Sequence, residues 1–117
     1  MPSIDSLIYL DADTLFLASV EHVWSQFYHM NSTQMIGIAP ELDHPKYGWF
    51  AKSAKTPIYG KSGVNSGVLL MNLTRMRQFD WQNKLMPVYL KYGKLLYADQ
   101  GIINVILHFN TGKNFYQ

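Results

Sequence analysis

Asp11 and Asp13 are the residues whose type and spacing most directly suggest chemistry. They end an apolar run, Leu7-Ile-Tyr-Leu10, with only Ala12 between them. The run is short and rich in strand-favouring residues, which predicts a buried strand. Side chains alternate along a strand, so residues two apart face the same way. Asp11 and Asp13 are then expected on one face at the strand's carboxyl end, where ligands bind in open α/β sheets. Two like charges on the edge of a core repel each other. A divalent cation of the Mg or Mn type favours carboxylate oxygens and would neutralise both. The structural alternative is a strand running into a polar turn, with Asp13 capping a following helix.

Two further stretches carry polar groups in settings that suit a site. Gly63-Val-Asn-Ser-Gly67 brackets Asn65 and Ser66 with glycines. Glycine permits tight backbone conformations and close approach of a ligand, so Asn65, Ser66 and Gly67 could bind a sugar or an acceptor hydroxyl. The competing reading is a Gly-bounded turn leading into a strand at Val68–Met71. Asp99 and Gln100 open a segment with apolar residues at 102, 103, 106, 107 and 109, an amphipathic helix. Asp99 is either a cap and partner for the helix dipole or a site carboxylate held at a helix start. His108, near that helix's end, reads as structural. The histidines at 22, 29, 44 and 108 lack metal-ligand spacing, and no Walker loop, dinucleotide fingerprint or nucleophile elbow is present.

The elements that must position these residues follow from patterning. A helix is expected over Glu21–Tyr28 with Ser19 as its cap, and a strand over Gln34–Ala39 closed by Pro40. The stretch from Glu41 to Lys61 reads as a long, aromatic loop with one helical turn near Trp49–Lys55. Thr74 is expected to cap a short helix, and a second helix over Trp81–Tyr92 is interrupted at Pro87 and stopped by Gly93. A length of 117 residues suits one domain or part of one, and 48% hydrophobic content supports a packed core. A net charge of +2, with no basic stripe, argues against nucleic acid as a partner. There is no cysteine, so thiolate sites are excluded. No apolar stretch has the length of a membrane span, and the first residues lack signal-peptide features. Asn31-Ser-Thr33 and Asn72-Leu-Thr74 are glycosylation acceptor patterns, relevant in a lumenal or secreted protein.

Leu10-Asp-Ala-Asp13, Val64-Asn-Ser-Gly-Val68 with Leu70-Met-Asn-Leu73, and Ala98-Asp-Gln-Gly101, in this order, resemble the retaining nucleotide-sugar transferases of glycosyltransferase family 8. Asn31-Ser-Thr-Gln34, Ala39-Pro-Glu41, Gly48-Trp49 and Pro57-Ile-Tyr-Gly60 bring the resemblance nearest to the glucoside xylosyltransferases. The resemblance implies an α/β fold, part of a GT-A Rossmann-like nucleotide-sugar-binding sandwich with a mixed sheet and flanking helices. It implies transfer of a sugar, xylose from UDP-xylose above all, with retention of configuration, to O-linked glucose on an EGF-like repeat of a glycoprotein. Asp11 and Asp13 match the DxD motif, whose carboxylates hold Mn²⁺ (or Mg²⁺) against the diphosphate. Asn65 and Ser66, with Gly67, match residues near sugar and acceptor, and Asp99 and Gln100 match the pair beside the donor sugar. Asp99 is the more natural nucleophile of the two, but the sequence assigns that role to neither.

The resemblance also implies a base-binding segment before the DxD, a metal-ligating histidine after the last helix, and a type II membrane anchor in the Golgi or endoplasmic reticulum. None of these matches a stretch of residues 1–117. The chain is therefore expected to be a partial catalytic domain. The alternative is a non-catalytic fragment or pseudo-enzyme that binds a protein partner through the aromatic loop Tyr47–Tyr59.

Overall fold

The structure is a computed structural model, and it describes residues 3–42, 44, 48–110 and 115–116. Strands β1 (Ser6–Leu10), β2 (Ile36–Pro40), β3 (Val64–Asn72) and β4 (Phe115–Tyr116) form a mixed sheet in the order β1-β3-β2-β4. β3 is antiparallel to both β1 and β2, whereas β2 and β4 are parallel. β4 lies beyond the segments that the sequence predicts.

Cross-strand partners share a face of the sheet. Leu7 pairs with Met71 and Tyr9 with Leu69, so the alternate residues of β1 line the same face as the core residues of β3. That face packs against helix α3 (Leu73–Gln78) and helix α5 (Ala98–Phe109). Met35, Ile36, Ile38, Val64, Leu69, Met76, Ile103 and Leu107 are all buried there. The period-two pattern of the strands and the 3.6-residue pattern of α5 thus meet in one core.

The register of β3 contains an irregularity that matters for the site. Ile38 pairs with Leu69, but its neighbour Ala39 pairs with Asn65. Ser66, Gly67 and Val68 are therefore extra residues opposite β2, while Val68 pairs with Leu10 of β1. Bulges of this kind bend a strand and re-aim its side chains. Val64–Gly67 of the expected turn is thus the first part of a longer strand.

Several local expectations are corrected. Asn72, and not Thr74, caps α3 by accepting the Arg75 N–H at 3.0 Å, while Thr74 donates its hydroxyl to Asp5 Oδ1 at 2.6 Å. The helix expected at 21–28 is a short α1 (Val20–Trp24) followed by a 3₁₀ turn, with Ser19 accepting the Glu21 N–H as expected. The loop's helical turn is α2 (Phe50–Ser53). Helix α4 (Trp81–Tyr92) runs unbroken through Pro87. The His108 ring lies 2.8 Å from the Ile58 carbonyl oxygen, tying α5 to the loop as its structural reading required.

Candidate active site

β1 ends at Leu10, and Asp11 opens a turn in which the Thr14 N–H donates to the Asp11 carbonyl at 3.0 Å. The alternation of the strand therefore does not extend to Asp13, which is exposed in that turn. Nor does Asp13 cap a helix, since the next helix takes its cap from Ser19. Asp11 shares its side of the sheet with Tyr9 instead, and the Tyr9 hydroxyl donates to Asp11 Oδ1 at 3.0 Å. The Asp11 N–H donates to the Gly67 carbonyl at 2.9 Å, which extends the β1–β3 ladder one step to the bulge.

At the bulge, Asn65 Oδ1 accepts the Gly67 N–H at 2.9 Å. A Cβ on residue 67 would stand 3.0 Å from that oxygen and 3.6 Å from Asp11 Oδ2. Glycine here lets the strand, the Asn65 amide and the Asp11 carboxylate come together. Ser66 is buried, and its N–H donates to Gln100 Oε1 at 3.3 Å.

The start of α5 supplies the third wall. Its cap position is Tyr97, and Asp99 lies in the first turn with Oδ1 accepting the Gln100 N–H at 2.8 Å. Ala98 adopts φ 47, a left-handed conformation that costs a non-glycine residue about 1 kcal/mol or more. That strained residue sets the entry of Asp99 and Gln100. Asn104, one turn further along α5 and fully buried, accepts the Val64 N–H and donates to the Val64 and Gln100 carbonyls, each at 2.9 Å. It pins the helix start to the start of β3.

The three walls close into a ring of hydrogen bonds through two residues outside the predicted set. Glu41 Oε2 accepts from Asn65 Nδ2 at 3.2 Å and from Gln100 Nε2 at 2.9 Å. The Tyr9 hydroxyl lies 3.4 Å from Asp99 Oδ2 as well as 3.0 Å from Asp11 Oδ1. The ring runs Asp11, Gly67, Asn65, Glu41, Gln100, Asp99, Tyr9 and back to Asp11. Asp11, Asn65, Ser66, Gly67, Asp99 and Gln100 are thus brought together. Asp13, exposed two residues after Asp11, makes none of the ring's hydrogen bonds, and Asn31 and Asn72 lie elsewhere. Asn31 is exposed in a turn closed by the Thr33 and Gln34 N–H groups, and Asn72 is consumed as a helix cap. Tyr9, Glu41 and Asn104 hold these groups in place, and the sequence reading assigned none of them a role, although Glu41 closes the quoted Ala39-Pro-Glu41 stretch. Tyr9 was findable, being two residues before Asp11 on a strand, whereas Glu41 required the fold.

The electrostatics favour a cation. The Tyr9 phenol is held above its ordinary pKa of 10.0, first by its hydrogen bond to Asp11, then by the charges of Asp11 and Asp99. The bonds that hold these carboxylates come from a phenol and a backbone N–H, so their negative charge is organised rather than cancelled. Among the described residues no three carboxylate, imidazole or thiol groups converge on one point. That donor set does not make an all-protein metal cage. It does suit a hard cation held by one or two carboxylates and completed by phosphate oxygens.

The mixed sheet with flanking helices, with acidic groups at the carboxyl end of β1 facing a bulged strand and a helix start, is an α/β architecture of the GT-A type. The chain belongs to glycosyl transferase family 8, whose family model matches residues 1–113. It is 43% identical to glucoside xylosyltransferase 2 of Mus musculus over 94% of this chain and 28% of that protein. It is 40% identical to glucoside xylosyltransferase 1 of Homo sapiens over 98% of this chain and 29% of that protein. The chain thus spans less than a third of the length of these curated relatives. The crystal structure of mouse xyloside xylosyltransferase 1, apo form, matches with a TM-score of 0.69 and 27% identity, over 99% of this chain and 46% of that one.

Proposed function

We propose that this chain carries the donor-sugar part of a UDP-xylose-dependent glucoside xylosyltransferase. The reaction is transfer of xylose, with retention of configuration, to O-linked glucose on an EGF-like repeat of a glycoprotein. The observation that carries the proposal is the hydrogen-bonded ring, which links Asp11, Asn65, Gly67, Asp99 and Gln100, residues drawn from all three motif stretches. Glucoside xylosyltransferase relatives support the xylosyl class.

In this reading Asp11 and Asp13 would hold a Mn²⁺ (or Mg²⁺) ion, which would supply positive charge against the UDP leaving group. Asp99 presents a carboxylate beside the donor sugar, able to stabilise positive charge at its anomeric carbon or to attack it. Asn65, Ser66 and Gln100 supply hydrogen bonds that orient sugar and acceptor hydroxyls. The ring's internal bonds preorganise these groups, so little reorganisation is needed when substrate arrives. Segments outside residues 1–117 would bind the uracil base, add a metal-ligating histidine and anchor the protein in the Golgi or endoplasmic reticulum membrane. Among the described residues no helix is long and apolar enough to cross a membrane. A lumenal location would make Asn31 the better glycosylation candidate, since it is exposed whereas Asn72 is half-buried at the end of β3.

Incubation with radiolabelled UDP-xylose, UDP-glucose or UDP-galactose and a glucosylated EGF-like repeat tests the proposal. Transfer from UDP-xylose, lost in Asp99→Asn, is the expected result. Transfer from another donor alone overturns the sugar assignment. The non-catalytic reading, in which the aromatic loop binds a protein, predicts no transfer and binding of the repeat that depends on Trp49, which is exposed. Tyr47 of that loop lies outside the described residues.

A further inference from the structure

We infer that Glu41 is a positioning residue whose carboxylate fixes the orientation of the Asn65 and Gln100 side-chain amides, and with it the atoms they present to a bound sugar. The inference rests on the donor-site reading above and goes beyond it by giving a role to Glu41, which the Ala39-Pro-Glu41 stretch contains but to which the resemblance assigns none.

An ionised carboxylate only accepts hydrogen bonds. Asn65 and Gln100 both meet Glu41 Oε2, at 3.2 and 2.9 Å, so each must turn its NH₂ group toward that oxygen. Their carbonyl ends are then directed the other way. Asn65 Oδ1 receives the Gly67 N–H at 2.9 Å, and Gln100 Oε1 receives the Ser66 N–H at 3.3 Å. Each amide is bound at both ends. A flip of either would set its NH₂ group against a backbone N–H and its carbonyl against the carboxylate. Both repulsions oppose it.

Glu41 is itself well placed to act as the fixed point. It follows Pro40 at the end of β2, and its backbone N–H donates to the Gly63 carbonyl at 2.9 Å. Its second oxygen, Oε1, accepts the Leu42 N–H at 3.0 Å. The side chain is half-buried, and bonds to a charged acceptor are stronger than those between neutral groups. Residues separated by 24 and 59 positions in the chain are thereby held to one oxygen atom. No step of the reaction is assigned to the carboxylate itself.

The test pairs a spectroscopic reading with a binding reading in the presence of Mn²⁺. The side-chain NH₂ resonances of Asn65 and Gln100 are followed in ¹⁵N-labelled protein, and UDP and UDP-xylose are titrated calorimetrically. Glu41→Ala is expected to move both pairs of resonances. It should weaken UDP-xylose at least about tenfold, the loss of one strong hydrogen bond, while UDP alone changes less than about twofold. Glu41→Gln retains an oxygen that both amides can reach and is expected to recover affinity to within about threefold of the original. Should Glu41→Ala not fold, Glu41→Asp, which draws the carboxylate back by one methylene, takes its place. Unmoved amide resonances overturn the inference. A Glu41→Gln protein as weak as Glu41→Ala also overturns it, because charge and not orientation is then the requirement. An unmodified protein that binds UDP-xylose no better than UDP contradicts the donor-site reading instead, and the amide resonances alone then judge the role of Glu41.

Discussion

The Tyr9 hydroxyl lies 3.4 Å from Asp99 Oδ2, joining the end of the first strand to the start of the last helix across 90 positions of chain. The same hydroxyl donates to Asp11 at 3.0 Å, so one phenol links two carboxylates. The bond to Asp11 is the largest influence on Tyr9, followed by the charges of Asp11 and Asp99, and all of them raise its pKa above 10.0. The folded state therefore favours the neutral phenol. That preference is fully present below the ordinary tyrosine value, near 10, and is lost as pH rises through the higher folded value. Tyrosinate absorbance of the unmodified protein minus that of Tyr9→Phe is expected to show a group titrating above free tyrosine. A difference curve at or below the ordinary value contradicts this assignment.

Gly63 is the position where the backbone leaves least freedom. Its φ is 85, and a Cβ there would stand 2.9 Å from Asn104 Oδ1 and 2.9 Å from Phe50 Cε1. Both neighbours are fully buried, so neither yields easily. The left-handed conformation alone costs an alanine about 1–2 kcal/mol, and the clash adds to it. Gly63→Ala is expected to lower unfolding free energy by about 2–4 kcal/mol in urea titration. A change below about 0.5 kcal/mol would be the contrary result.

Asn104 is predicted to matter through backbone groups that it satisfies. Asn104→Leu keeps the branching at Cγ but abandons the Val64 N–H and C=O, which lie in a buried setting. An unmet buried group costs about 1–3 kcal/mol. Urea unfolding should therefore show a loss of about 2–4 kcal/mol, with hydrogen exchange at Val64 accelerated. Unchanged exchange at Val64 would show that Asn104 does not hold that strand.

Much of the fold was legible because short apolar runs and a strongly amphipathic helix leave clear patterns. Leu7–Leu10 proved to lie in β1, half-buried or exposed at the sheet's edge rather than buried as expected, and the apolar positions from 102 to 109 belong to α5. Family membership was legible from three ordered motifs. What remained hidden depends on tertiary pairing. The bulge at Ser66–Val68 arises from β3 serving two partners with different registers, which no local pattern records. Because β1 ends at Leu10, strand alternation relates Asp11 to Tyr9 and does not extend to Asp13. Glu41 sat in a stretch read as loop, and its importance comes from bonds to residues far along the chain. Asn104 looked like one polar position within an apolar helix and proved to be a structural pin.

The acidic end of β1 and the groups facing it are proposed to hold a nucleotide-sugar diphosphate. Calorimetric titration of the chain with UDP in Mn²⁺, beside Asp11→Asn and Asp13→Asn, is the test. Binding by the unmodified chain is expected, weakened at least about tenfold in both variants. A folded chain that gives no heat with UDP, or variants that bind as tightly as the original, would contradict it.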